Sequence, residues 1–124
     1  MQRLTGFADP PRDAARCFRA ILDAMARPGT VARIGLPDAP PAPLSQAAAA
    51  LLLTLSDADA ATWLAGPWDA PSIRELLRLR CGAAPAPTPE RAAFAVGDWA
   101  ALREVEHWRL GEPDYPDRSI TLIV

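Results

Sequence analysis

Two kinds of short segment alternate along this chain, and prolines and glycines cut between them. One kind carries apolar residues at helical spacing, and the other is a brief apolar or β-branched run. Asp9-Pro10-Pro11 opens the first helix, with Asp9 as its expected N-cap and proline at the first helical position, where the missing N–H is not needed. Phe18, Ile21, Leu22 and Met25 then follow at i, i+3, i+4 and i+7, one apolar stripe. Arg27-Pro28-Gly29 stops the helix, because the residue before a proline is pushed out of the α region. Thr30 to Ile34 reads as a short strand, and Gly35 to Pro43 as a loop with four of the fourteen prolines.

The Ala/Leu run Gln46 to Leu55 predicts a mostly buried helix, ended by Ser56-Asp57-Ala58-Asp59. Thr62-Trp63-Leu64 predicts a strand that Gly66-Pro67 terminates. A third helix is expected from a cap at Asp69 or Ser72 through Arg80, with Cys81-Gly82 as its stop. Phe94 to Val96 predicts another strand, Trp99 to Trp108 a short helix, and Gly111 to Asp117 a loop. Ser119 to Val124 gives the strongest strand signal of the chain. Strands that alternate with helices imply crossover connections and parallel pairing. The expected fold class is α/β: a single domain over 1–124, a three-layer sandwich with a largely parallel or mixed sheet and helices on both faces.

Composition narrows the chemistry. The 124 residues suit one domain with a modest core, and half of them are apolar. A net charge of -2 argues against nucleic acid as the main partner, because phosphate-backbone binding needs a basic surface. All 13 basic residues are Arg. With no Lys, neither Schiff-base chemistry nor a Walker-type phosphate loop can be built from this chain. Cys17 and Cys81 stand in no CxxC or CxxH pair, and His107 is the one histidine, so no zinc spacing is present and no metal is expected. The cysteines read as two reduced, partly buried thiols, with a disulfide between them left open. The longest apolar stretch, Ala47 to Leu55, is too short to span a bilayer. Met1 to Phe7 contain no apolar run behind a basic start, so a cytoplasmic location is expected.

Four constellations bear on function. Arg12, Arg16, Arg19 and Arg27 share a face of the first helix opposite the apolar stripe, with Asp23 at i+4 from Arg19 and i-4 from Arg27. The plain reading is a solvated face laced with ion pairs; the functional one is an Arg cluster that docks an acidic partner surface or a phosphate. Asp57 and Asp59 read as turn residues that accept from backbone donors rather than as an acid/base pair. Glu104, Glu106 and His107 are close in sequence but point in different directions on a short helix, which makes a proton shuttle weak. Of the four tryptophans, Trp68 in its Pro67-Trp68 loop is the preferred interface candidate. Arg12, Arg16, Arg19 and Trp68 are therefore the interface residues expected. No catalytic, cofactor-binding or metal-ligating residue is assigned.

Read together, four stretches resemble one family. They are GFADPPRDAARCFRAILDAMARPGTV (residues 6–31), LLLTLSDADAATWL (51–64), ERAAFAVGD (90–98) and the terminal SITLIV. Their types and order resemble the PhnH family, the H subunit of the bacterial carbon–phosphorus lyase core complex, also described as ribose 1-methylphosphonate 5-triphosphate synthase. That resemblance implies a non-catalytic subunit in organic phosphonate catabolism that acts by binding other subunits, above all the radical iron–sulfur subunit. It also implies a homodimer when alone, no cofactor, no nucleic acid or membrane partner, and a fold like that of the pyridoxal-phosphate-dependent transferases without the cofactor. The absence of Lys agrees with that. Members of the family extend past the segment matching Ser119 to Val124, so the resemblance implies a carboxyl-terminally truncated domain that self-associates near its last strand. The competing reading is a small-molecule-binding enzyme domain that acts on a phosphonate or nucleotide intermediate.

Overall fold

A computed structural model describes residues 5–104, 108 and 110–124, without the side chains of positions 116 and 117. Its contacts fall into two compact units, Met1–Leu55 and Ser56–Val124.

The first unit is helical. Helix α1 spans Pro10–Ala26 and α2 spans Gln46–Leu55, and the two pack together. The start of α1 is closed differently from expectation. Asp9 makes no side-chain cap; instead its backbone N–H donates to Asp13 Oδ2 at 3.0 Å, so the carboxylate four residues on satisfies the end. Proline at the first position and Gly29, with φ +92° just beyond Arg27, bound the helix as the sequence predicts.

The packed edge of α1 is not its large apolar stripe. Cys17 is its buried residue, with Asp13, Ala14, Ala20, Ile21 and Ala24 half-buried. Phe18, Leu22 and Met25 are 45%, 54% and 69% exposed. Small side chains on one edge let α1 approach α2, whose Ala48, Ala49 and Ala50 are buried, and the Cys17 thiol donates to the Ala50 carbonyl at 3.7 Å. Of the stripe only Ile21 is half-buried; the other three side chains stay exposed among the described residues.

Residues 30–34 form no strand, and Val31 is 92% exposed. Their β-branched composition is suitable, but no neighbouring strand supplies a ladder.

The second unit is α/β. Strands β1 (Thr62–Leu64), β2 (Phe94–Val96) and β5 (Thr121–Ile123) form a parallel sheet in the order β1-β2-β5. Thr62 stands opposite Phe94 and Leu64 opposite Val96; Phe94 in turn stands opposite Thr121. Between β1 and β2 lies α3 (Pro71–Leu76), which runs on into a single π-turn, Leu77–Cys81, closed by Gly82 in the left-handed region. Neither Asp69 nor Ser72 caps it; Ala70 holds the N-cap position and makes no side-chain bond. Ile73, Leu76 and Leu77 are buried, the spacing expected of a core-facing stripe.

Beyond β2, α4 covers only Trp99–Leu102, with Asp98 accepting from the Ala101 N–H at 2.8 Å as a true N-cap. Arg103 and Glu104 have already left the helix, Val105, Glu106 and His107 of the expected 99–108 helix lie outside the described residues, and Trp108 is not helical. The expected loop at 111–117 is instead a hairpin. Strands β3 (Leu110–Glu112) and β4 (Tyr115–Ser119) pair antiparallel around a Pro113-Asp114 turn. Ser119 therefore belongs to β4, and the terminal strand is shorter than Ser119 to Val124. The core beside the sheet gathers Ala65, Ala95 and Leu102, with Trp63, Trp108, Ile120 and Leu122 packed on them. Trp108 Nε1 donates to the Leu102 carbonyl at 2.9 Å.

Candidate functional site

The site in the first unit is assembled by the return of the chain after α1. Gly29 turns the backbone, and residues 30–36 follow without helix or strand structure. Gln46, the first residue of α2, fastens this segment. Its Oε1 accepts from the Leu36 N–H at 2.7 Å and its Nε2 donates to the Asp38 carbonyl at 3.1 Å. Gly35 passes so close that a Cβ there would lie 3.1 Å from Gln46 Oε1. Leu36 and Leu44 are buried and anchor the loop.

Between this segment and α1 lies an open cavity of about 340 Å³. Asp13, Arg16, Cys17 and Ala20 contribute from the helix, and Arg33, Ile34, Gly35 and Pro37 from the returning segment, with Phe7 at one end. Two arginines from separate parts of the chain, Arg16 and Arg33, thus line one space. Among the described residues neither Arg16 nor Arg33 has a hydrogen-bond or ion-pair partner. The one carboxylate of the lining, Asp13, is held by the backbone N–H of Asp9.

The structure divides the expected Arg face. Arg16 borders the cavity; Arg12 and Arg19 are exposed on α1 and make no ion pair among the described residues. Asp23 pairs with Arg27 and not with Arg19. Trp68 ends a short 3₁₀ turn, Gly66–Trp68, where it is half-buried. The freer tryptophan is Trp99, 59% exposed at the start of α4.

A second cavity, of about 410 Å³, lies in the second unit beside the end of β1. Trp63, Leu64, Asp69, Arg74 and Ala84–Pro87 line it. Its charges satisfy one another: Arg74 donates from Nε to Asp69 Oδ1 at 2.5 Å and from Nη2 to Oδ2 at 2.8 Å. These hydrogen bonds hold the Asp69 carboxyl below the usual carboxylate range. That leaves no free charge from this pair for a ligand.

The remaining candidates are structural. Asp57 Oδ1 accepts from the N–H groups of Asp59 and Ala60 at 2.9 and 2.8 Å, the turn role expected of it. Cys17 and Cys81 are free thiols. Burial, and then the nearby Asp57 charge, push the Cys81 thiol up to about 11, so it is protonated at neutral pH and a poor nucleophile. Among the described residues no three His, Cys, Asp or Glu side chains converge on a metal-sized space, and no helix is long and apolar enough to cross a membrane.

A short helical unit followed by a small parallel-sheet unit, with a cavity in each and an exposed apolar ridge on α1, defines an α/β protein. Residues 5–124 match the model of the bacterial phosphonate metabolism protein (PhnH) family, and the chain belongs to that family. It is 39% identical over 119 residues to the alpha-D-ribose 1-methylphosphonate 5-triphosphate synthase subunit PhnH of Rhizobium meliloti (strain 1021). The match covers 95% of this chain and 60% of that relative, so the chain spans about three-fifths of the relative's length.

Proposed function

We propose that this chain is a non-catalytic subunit of the ribose 1-methylphosphonate 5-triphosphate synthase (carbon–phosphorus lyase) complex, working in organic phosphonate catabolism in the cytoplasm by docking other subunits. Its membership of the PhnH family and the name of its Rhizobium meliloti relative support that assignment. The radical iron–sulfur subunit is the partner that the resemblance implies, and a homodimer is the state proposed for the chain alone. A pyridoxal-phosphate transferase-like fold without cofactor is the architecture proposed for the whole subunit; the parallel β1-β2-β5 sheet is compatible with it.

The observation that carries the docking role is the α1 ridge. Three large apolar side chains lie exposed on consecutive turns of a 17-residue helix, and Arg12 and Arg19 of the same helix are exposed without an ion pair among the described residues. A helix with an exposed apolar strip and exposed guanidinium groups suits a partner that offers an apolar groove and carboxylates. Co-purification tests this directly. The tagged chain, co-expressed with the other lyase subunits, should retain the radical iron–sulfur subunit through a salt wash. The Arg12→Gln/Arg19→Gln/Leu22→Ser variant should lose it while melting within a few degrees of the parent. Retention by the variant, or no capture by the parent, rules the docking face out.

A further inference from the structure

We propose that the cavity of the second unit is a strand-edge site, where an uncharged, extended segment of a partner polypeptide hydrogen-bonds to the backbone of Leu64. The α1 ridge belongs to the first unit, and this site does not depend on it.

The outer edge of β1 is only half paired. In the parallel ladder the Phe94 N–H donates to the Ala61 carbonyl at 3.3 Å, and the Ala65 N–H donates to the Val96 carbonyl at 3.0 Å. Residues 61, 63 and 65 therefore turn their backbone groups to β2. Direction alternates along a strand, so Thr62 and Leu64 turn theirs to the outer edge. At Thr62 the carbonyl accepts from the Ala86 N–H at 2.8 Å. At Leu64 neither the N–H nor the carbonyl has a partner among the described residues, although Leu64 is buried. Buried backbone groups are nearly always paired, so this N–H and carbonyl call for an acceptor and a donor from outside the sheet. The neighbouring segment is poorly equipped to supply the donor, because Pro85 and Pro87 on either side of Ala86 carry no N–H.

The cavity of about 410 Å³ stands at that gap, with Leu64 in its lining. Its walls select the occupant. The two charged groups, Asp69 and Arg74, are bonded to each other at 2.5 and 2.8 Å, so the lining offers no free charge from this pair to an ion. Trp63, Leu64, Pro85 and Pro87 supply apolar surface. An apolar, charge-balanced space beside an unpaired N–H and carbonyl on a strand edge suits a peptide main chain. Such a chain carries both complementary groups at strand spacing and places an uncharged side chain against the walls. Ala86 already makes one contact of this kind at the adjoining position of the same edge.

The test follows the Leu64 amide by proton–nitrogen NMR while the full chain is titrated with N-acetyl-alanyl-valyl-alanine amide. The expected result is a saturable shift at Leu64 in the millimolar range, with the amides of α1 unmoved. The same peptide methylated at its backbone nitrogens keeps its side chains and loses its donors, and it should bind at least about 10-fold more weakly. Ala84→Phe, a change at an exposed residue of the lining, should remove the shift without lowering the melting temperature. In the free chain the Leu64 amide should exchange with solvent faster than the Trp63 amide, which faces β2 in the ladder. A Leu64 amide as protected as that of Trp63 would show the edge already covered and overturn the site. So would no saturable shift, or equal binding of the methylated peptide. A Leu64 shift that grows with protein concentration in the absence of peptide would give the edge to a second copy of the chain, and that also overturns it.

Discussion

The two compact units solve the same burial problem with different outcomes. In the second unit the apolar residues that the pattern groups together are the residues that become buried: Leu64, Ala95 and Val96 along the sheet, and Ile73, Leu76 and Leu77 on the adjoining helical turns. In the first unit the longest amphipathic pattern of the chain, that of α1, has its largest side chains in solvent and its alanines and cysteine against α2. Small residues allow a close helix approach, and the large ones then fall on the neighbouring face. Periodicity states which side chains share a face. It does not state that the chain itself covers the face, and an uncovered apolar face on a packed helix is the form an interface takes.

Leucines of the two kinds make the sharpest contrast. Leu102→Ala removes a fully buried side chain from the cluster of Ala65, Ala95, Trp63 and Trp108 and should cost about 2–5 kcal/mol of unfolding free energy. Leu22→Ala trims a side chain more than half exposed and should stay within about 0.5 kcal/mol. Urea denaturation of both variants measures the difference. A loss of more than about 2 kcal/mol for Leu22→Ala would mean that the ridge is covered in solution, and the contrast between the units would disappear.

What could be read beforehand divides along the same line. The bounds of α2, β1 and β2 follow from local runs and breakers, and the turn at Asp57 follows from side-chain chemistry within three residues. Strand status at 30–34 could not be read locally, because Val31 and Ile34 are good strand formers and a strand needs a neighbour. The hairpin at 110–119 carried a visible turn signal, Pro113-Asp114, but its flanks lack the apolar alternation that announces a half-buried strand. Arg16 was legible as part of a helix face. Its association with Arg33 was not, since only the return of the chain after Gly29 brings the two to one cavity.

A smaller effect belongs to Gln46, an exposed residue with more consequence than its exposure suggests. Gln46→Ala deletes both hydrogen bonds to the 36–38 loop and leaves the Leu36 N–H without that acceptor. The expected loss is about 1–2 kcal/mol, with faster hydrogen exchange at the Leu36 amide. An unchanged melting curve together with a protected Leu36 amide would show that the buried Leu36 and Leu44 side chains hold the loop without Gln46. The cavity wall would then owe its position to packing.

The smallest expected change in stability comes from the most conspicuous charges. Arg12→Gln/Arg16→Gln/Arg19→Gln removes three positive charges from one helix, yet none of the three makes an ion pair among the described residues. The pair on that face is Arg27 with Asp23, which the variant leaves in place. Exposed i,i+4 pairs contribute only about 0.3–0.5 kcal/mol even when formed, and glutamine is as good a helix former as arginine. The triple variant should therefore melt within a few degrees of the parent. Any gain from relieved mutual repulsion should be slight and should shrink in high salt, because surface charges are screened. If the variant unfolded, the arginines would be part of the fold of the first unit. With stability intact, any loss of partner capture can be assigned to the surface itself, and the single changes at Arg12, Arg16 and Arg19 then apportion that loss along the helix.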